Sequence, residues 1–193
     1  MPAFIPGEVV KVFTDKQGEE VILRHPEWTD LDDLLEYINE LSKEQTFINF
    51  CGEEITRDQE IEFLKGVLEK SEKQQAVYLV AEAKGRIIGT SAVEQNLTDI
   101  NRGKHVGKFG VSLKKDYRRR GIGKALSQTA IIEAKERIPG LRLIILDVFE
   151  PNQIGQDLYR KLGFVQSGRL PGGVWHIDKY VDKIQMYLKV GGE

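Results

Sequence analysis

Hydrophobic and polar positions follow two periods along this chain, and the switches between them mark its elements. Glu8 to Phe13 and Glu19 to Arg24 are rich in β-branched residues. They flank Asp15-Lys16-Gln17-Gly18, which predicts a hairpin. The period changes near Thr29 or Asp30. Leu31, Leu34, Leu35, Ile38 and Leu41 then recur at helical spacing. Ser42 to Ile55 keeps neither period and reads as a loop or broken helix. Thr56 with Gln59 forms a capping box for a second helix, whose apolar face is Ile61, Leu64, Val67 and Leu68. Ala76 to Ala83 and Arg86 to Val93 are strands joined by a tight Lys84-Gly85 turn. Lys104 to Leu113 predicts another strand. A third helix carries Ile122, Leu126, Ala130, Ala134 and Ile138 in an unbroken i, i+4 ladder, and Pro139-Gly140 stops it. Leu141 to Val148 is nearly all apolar, as expected of a strand buried on both faces. A fourth helix from about Asn152 to Leu162 and two strands, Phe164 to Gly168 and Lys183 to Val190, close the chain.

Composition narrows the class. A length of 193 residues without internal repeats fits one α/β domain, 1–193, with a mixed sheet and helices on both faces. Residues 1–18 form an amino-terminal strand extension of it. No apolar run approaches a membrane span, and Met1 to Pro6 lacks the charged-then-apolar pattern of a signal peptide. The single cysteine, Cys51, permits no internal disulfide, which suits the cytoplasm. His25, His105 and His176 are too scattered for a metal site, so no metal is expected.

Charge is less even than the formal total of −2 suggests. From Lys114 to Lys124 there are six basic residues and one acid. Gly121 and Gly123 lie where the third helix begins, and first-turn N–H groups have no intrahelical partner. The helix dipole adds partial positive charge there. Strand, basic loop, glycines and helix start together describe an anion site, most simply for a pyrophosphate. A Walker loop does not fit, because Arg118 and Ala125 stand where it needs Gly and Ser or Thr. A dinucleotide fingerprint fails at Leu126. A nucleic-acid patch would use the same cations and would show steep salt dependence. The acidic remainder of the chain opposes it, so neither nucleic acid nor membrane is an expected partner.

The spacing Arg118-x-x-Gly121-x-Gly123 resembles the Q/R-x-x-G-x-G/A signature of the GNAT superfamily of N-acetyltransferases. Downstream, Asn152 to Phe164 resembles that family's N-x-x-A-x-x-L-Y-x-x-x-G-F segment, with Gly155 in place of the usual alanine. The resemblance is firm from about Val106 to Phe164 and makes 104–164 the acetyl-CoA-binding core. It implies a mostly antiparallel sheet that splays between the strand before the basic loop and the following apolar strand. Acetyl-CoA would be the cosubstrate, its pantetheine arm entering at the splay. The pyrophosphate would fall to the backbone of Arg119, Arg120, Gly121, Ile122, Gly123 and Lys124, with Arg118 and Arg120 adding charge-assisted bonds. Val111, Ser112 and Leu113 would pair with the pantetheine, and a backbone N–H there would hold the thioester oxygen. The resemblance makes Tyr159 the general acid to the departing sulfur and Asn152 a pantetheine contact. Their residues alone equally allow a packed tyrosine and a helix N-cap.

Many relatives place a glutamate on the strand before the loop, and Lys104 to Leu113 contains none. Glu94 and His105 are the nearest titratable candidates for the base, and a water chain is the third option. From Thr29 to Glu72 the chain carries 13 acids against 4 bases, a local net of −9. The resemblance puts the acceptor wall there. Such a wall would favour a polyamine, a lysine or a protein amino terminus, although the acids equally fit solvated helix faces. Trp175, Tyr180 and Asp182 are expected in a late loop near the acceptor, or in packing or dimer contacts. The function expected is acetyl transfer to a primary amine in a ternary complex, with no acyl-enzyme. A non-catalytic acyl-CoA sensor or scaffold of the same fold is the alternative, and a homodimer stays open.

Overall fold

Eight strands form one mixed sheet in the order β1-β2-β3-β4-β5-β6-β8-β7. The computed structural model describes residues 3–44, 46–48, 50–95 and 102–191. The strands are β1 (Val9–Thr14), β2 (Glu20–Arg24), β3 (Ala76–Ala83), β4 (Arg86–Gln95), β5 (Val106–Leu113), β6 (Leu143–Phe149), β7 (Val165–His176) and β8 (Lys179–Lys189). The helices are α1 (Leu31–Lys43), α2 (Arg57–Glu72), α3 (Ile122–Arg137) and α4 (Gln153–Lys161). Every neighbouring pair is antiparallel except β5 with β6. That parallel pair needs a crossover, and α3 supplies it.

The predicted periods reappear as burial. Ile122, Leu126, Ala130 and Ala134 of α3 are fully buried against one face of the sheet. Leu34, Tyr37 and Leu41 of α1 and Leu64 and Leu68 of α2 close the other face over Val80 and Ile87. The Thr56–Gln59 capping box forms as the sequence predicts. The Lys84-Gly85 turn has both central residues at positive φ, 52° and 70°, as a two-residue hairpin requires.

Two sequence expectations change. β6 is not buried on both faces. Ile144, Leu146 and Val148 enter the α3-side core, whereas Asp147 and Phe149 face a cavity. The apolar run reflects one core face and one partly covered face. The second change is in the stretch 166–182, where Trp175, Tyr180 and Asp182 lie on a long β7–β8 hairpin instead of a loop. Trp175 pairs with Tyr180 and their rings meet at 4.9 Å. Pro171, Gly172 and Gly173 hide the strand from a periodicity reading. The ladder absorbs them in a register shift between Leu170 and Val174.

The β5–β6 pairing decides the architecture of the site. It covers Val106–Leu143, Gly107–Ile144 and Lys108–Ile145, and then stops. Beyond those rungs β5 stays on β4 up to Leu113, while β6 stays on β8 up to Phe149. The strands diverge and leave a wedge between them.

The amino-terminal hairpin is fastened to the loop that follows β5. Arg120 is buried and reaches Asp15 at 2.5 Å and Glu19 at 2.7 Å, with its guanidinium 4.7 Å from the Tyr117 ring centre. Burial alone would raise the Asp15 pKa, but hydrogen bonds from Arg120 and from the Glu19 and Gln17 amides outweigh it and hold it low. The Arg120 hydrogen bond, ahead of burial, lowers that of Glu19. Depressed carboxylates contribute stability above their ordinary values of 3.8 and 4.5, and that contribution is lost as pH falls through the folded-state values. Arg120→Met is therefore expected to lower the thermal midpoint at pH 7 and to narrow its difference from native protein as pH drops below about 4. Thermal melts by circular dichroism across pH 3–7 check this. A constant offset across that range would remove the cluster from the acid response.

Candidate active site

The basic loop divides its cations between structure and surface. Lys114 bonds Glu40 at 2.6 Å, and Arg118 bonds Glu44 at 2.6 Å and the Leu113 carbonyl at 2.9 Å. With Arg120 also engaged, three of the six cations already serve carboxylates. Lys115, Arg119 and Lys124 are exposed. Arg119 has φ +62° and Gly121 φ +90°, so the chain turns through the left-handed region twice before α3. Gly121 is the N-cap of α3 and no side chain caps that end. Among the described residues, the N–H groups of Ile122, Gly123 and Lys124 have no protein partner. An anion fits there by geometry and dipole together.

The two loop glycines act differently. Gly121 permits a conformation that L-residues adopt at a cost. Gly123 permits contact: a Cβ there would lie 3.2 Å from Leu113 Cδ1. Leu113 also fills the space over Gly89, where a Cβ would lie only 2.2 Å from it. Lys16, which no motif announced, joins this end. Its amide bonds the Arg120 carbonyl at 3.1 Å, and its stem passes 3.7 Å from where a Gly121 Cβ would stand. The only sequence trace of it is its place in the hairpin turn.

A cavity of about 850 Å³ runs from the wedge to the space under α1 and α2, at the large end for a small-ligand site. Val111, Ser112 and Tyr159 line its wedge end. Ser112 Oγ sits 2.8 Å from the Tyr37 hydroxyl and 3.2 Å from Thr90 Oγ1, a row of hydroxyls beneath α1. Burial is the main cause that pushes the Tyr37 pKa up to about 12. Tyr159 is 9% exposed, and its ring meets Phe109 and Phe164, each with ring centres 6.0 Å away. Burial pushes its phenol up to about 12 as well, so its proton is firmly held at neutral pH.

Asn152 caps α4, its Oδ1 accepting from the Gly155 amide at 2.9 Å. This explains the glycine that departs from the family pattern. A Cβ on residue 155 would lie 2.7–3.0 Å from the Asn152 side chain, so alanine would push the cap aside.

The two base candidates lie apart from the wedge. Glu94 is held by Lys70 at 2.5 Å and by the Tyr78 hydroxyl at 2.5 Å, and does not itself line the cavity. Tyr78 does line it, so Glu94 meets the cavity through that hydroxyl. Burial first, and Glu94 second, raise the Tyr78 pKa far above its ordinary value. His105 precedes β5 at its paired end and is exposed. At about 3.3 Å per residue, some 20 Å of strand separates it from Val111.

The acidic wall is mostly a set of ion pairs. Asp30 holds Arg24, Asp32 holds Arg57, and Asp33 and Glu36 share Arg86. Glu40 and Glu44 hold the basic loop. Of the 13 acids between Thr29 and Glu72, Glu60 alone lines the cavity. The expectation of an acidic wall is corrected: where α1 and α2 line the cavity, the lining is mainly apolar. Charge counted along a segment says nothing about which cations fold against it.

Comparison with known proteins decides the family. The acetyltransferase (GNAT) family model matches residues 35–164. The chain belongs to the GNAT family of acetyltransferases. A curated relative, the N-alpha-acetyltransferase of Sulfurisphaera tokodaii, is 28% identical over 158 residues, covering 77% of this chain and 83% of its own. The GNAT-family acetyltransferase from Streptococcus pneumoniae has a TM-score of 0.79 at 27% identity, covering 89% of this chain and 99% of its own. The Salmonella typhimurium protein yncA, solved with its cofactor acetyl-CoA, has a TM-score of 0.78 at 17% identity, covering 90% and 95% of the two chains. The chain is thus an acetyl-CoA-dependent N-acetyltransferase of the GNAT fold. Among the described residues there is no cluster that could hold a metal ion, and no helix is long and apolar enough to cross a membrane.

Proposed function

We infer that the chain moves an acetyl group from acetyl-CoA directly to a primary amine within one ternary complex. The observation that carries this is the continuity of the cavity. It joins β5 at Val111 and Ser112, the phenol of Tyr159, and an acceptor space under α1 and α2. The amine and the thioester then meet without an acyl-enzyme. In this reading the α3 terminus, Arg119, Lys124 and Lys16 hold phosphate. A β5 backbone N–H holds the thioester oxygen as negative charge develops on it. Tyr159 donates a hydrogen bond to the departing sulfur. Asn152 shapes the start of α4 beside the arm. Glu94 takes part through Tyr78 and ordered water, whereas His105 stands too far down β5 for direct contact.

A protein amino terminus is the acceptor best supported by relatives, because the 28% identical curated relative is named an N-alpha-acetyltransferase. The lone Cys51 suits a reducing compartment, the cytoplasm. Incubating the protein with acetyl-CoA and a panel of amines, amino acids and peptides, and reading thiol release, tests the transfer. Thiol release that depends on the amine and yields acetylated product is expected. CoA binding without amine-dependent release would make the chain an acyl-CoA sensor.

A further inference from the structure

The acceptor end of the cavity has a chemistry of its own. Its walls are apolar: Ile38 and Leu41 from α1, Phe47 and Phe50 from the following segment, Phe63 and Val67 from α2. Three other charged groups line the cavity: Lys108 on β5, whose residue is exposed to solvent, and Asp147 and Lys183, which pair with each other at 3.6 Å. Glu60 is different. It is 4% exposed, lines the cavity one helical turn before Leu64, and its carboxylate has no hydrogen bond or ion pair among the described residues. Its sequence signal is an acid on the buried stripe of α2, which runs Glu60, Leu64, Val67, Leu68 and Ser71.

A buried carboxylate without a cation is costly, and a cation entering an apolar cavity is costly unless it meets a counter-ion. Each cost is relieved by the other. Burial raises the Glu60 pKa to about 7, so the empty cavity disfavours the charged form. An apolar body beside the nitrogen would cover the phenylalanine walls, whereas a polyamine would bring several charges to a single carboxylate.

Resting on the transferase reading above, we propose that the acceptor is a primary amine carried on a bulky apolar group, drawn into the cavity by Glu60. The shared chemistry is met by an alkyl or aryl amine and by a peptide that begins with a large apolar residue. Glu60 is the specificity-determining carboxylate and Phe63, 51% exposed at the cavity mouth, contributes to the apolar wall.

The test uses the full chain with acetyl-CoA. The acceptors are ethylamine to hexylamine, phenethylamine, spermidine, and peptides beginning with Phe, Leu or Asp. The value of kcat/KM is expected to rise about fourfold per added methylene until the space is filled. Spermidine and the Asp peptide should rank last. A best substrate among the peptides or among the simple amines identifies the source, and either result upholds the proposal. Glu60→Gln should raise KM for the best apolar acceptor about tenfold or more, leave KM for acetyl-CoA unchanged, and remove an inflection near pH 7. Glu60→Asp should restore part of the loss. Phe63→Ala, at an exposed position that does not threaten folding, should flatten the chain-length dependence. Preference for spermidine, or Glu60→Gln moving both KM values equally, overturns the proposal. If no amine releases thiol, calorimetry of hexylamine and of the Phe peptide into the CoA complex decides. Binding that Glu60→Gln abolishes keeps the apolar-amine site and removes the transferase reading. No binding of either removes the site.

Discussion

Tyr159→Phe is expected to lower kcat by about 10²–10⁴-fold while acetyl-CoA affinity stays within about twofold. The ring is wedged between Phe109 and Phe164, and phenylalanine keeps that packing. What disappears is one hydroxyl at the wedge end of the cavity. With the phenol pushed up to about 12, its proton stays on oxygen at neutral pH and the hydroxyl is a donor toward the sulfur. The hydroxyl therefore acts mainly by a hydrogen bond that strengthens as charge collects on sulfur. An interaction made chiefly in the transition state moves kcat and leaves ground-state binding alone. Single-turnover kinetics with acetyl-CoA, paired with calorimetry for CoA, separates the two. Turnover within about twofold of native protein would reduce Tyr159 to a packing residue.

Gly121→Val is expected to weaken CoA binding by about 10- to 100-fold, as strain of about 1–3 kcal/mol at this position is relieved by reshaping the loop. The native φ of +90° is one that a β-branched residue resists strongly. Relief would move the N–H groups of the first α3 turn, which have no other partner among the described residues. Arg119→Ala removes only an exposed side chain and should cost about two- to fivefold, with a salt dependence that the glycine variant lacks. Calorimetry at 0.05 and 0.3 M salt distinguishes backbone from charge. Native affinity in the valine variant would place the phosphates elsewhere.

The sequence carries the elements whose period is one-sided and long. The α3 ladder from Ile122 to Ile138 and the capped start of α2 are legible because a single face repeats. β6 is misjudged because Leu143 to Val148 is nearly all apolar, although Asp147 and Phe149 on one face line a cavity. A cavity wall and a core wall use the same residues. The β7–β8 hairpin hides behind Pro171-Gly172-Gly173, because a bulge in one strand looks like a break in the chain. In the site, the glycines and basic loop are legible because backbone geometry restricts residue choice. Lys16 is not, since nothing local marks a turn lysine as a neighbour of Gly121, and Glu60 shows only as an acid on the α2 stripe, its lack of a partner being a property of the fold. The ion-pair roles of Arg118 and Arg120 are equally tertiary. A cation's task depends on which carboxylates, here Glu44, Asp15 and Glu19, fold against it.

Three ladder pairs join β5 to β6, so the sheet is two groups of strands meeting at a short seam. One group holds β1 to β5, and the other holds β6, β8 and β7. Past the seam, backbone amides and carbonyls along the facing edges of β5 and β6 have no rung between them. A chain-like ligand laid in that gap would act as a strut, supplying the rungs that the two strands do not give each other. Amide hydrogens on those edges would then report occupancy directly, exchanging quickly in the empty protein and slowly once the gap is bridged.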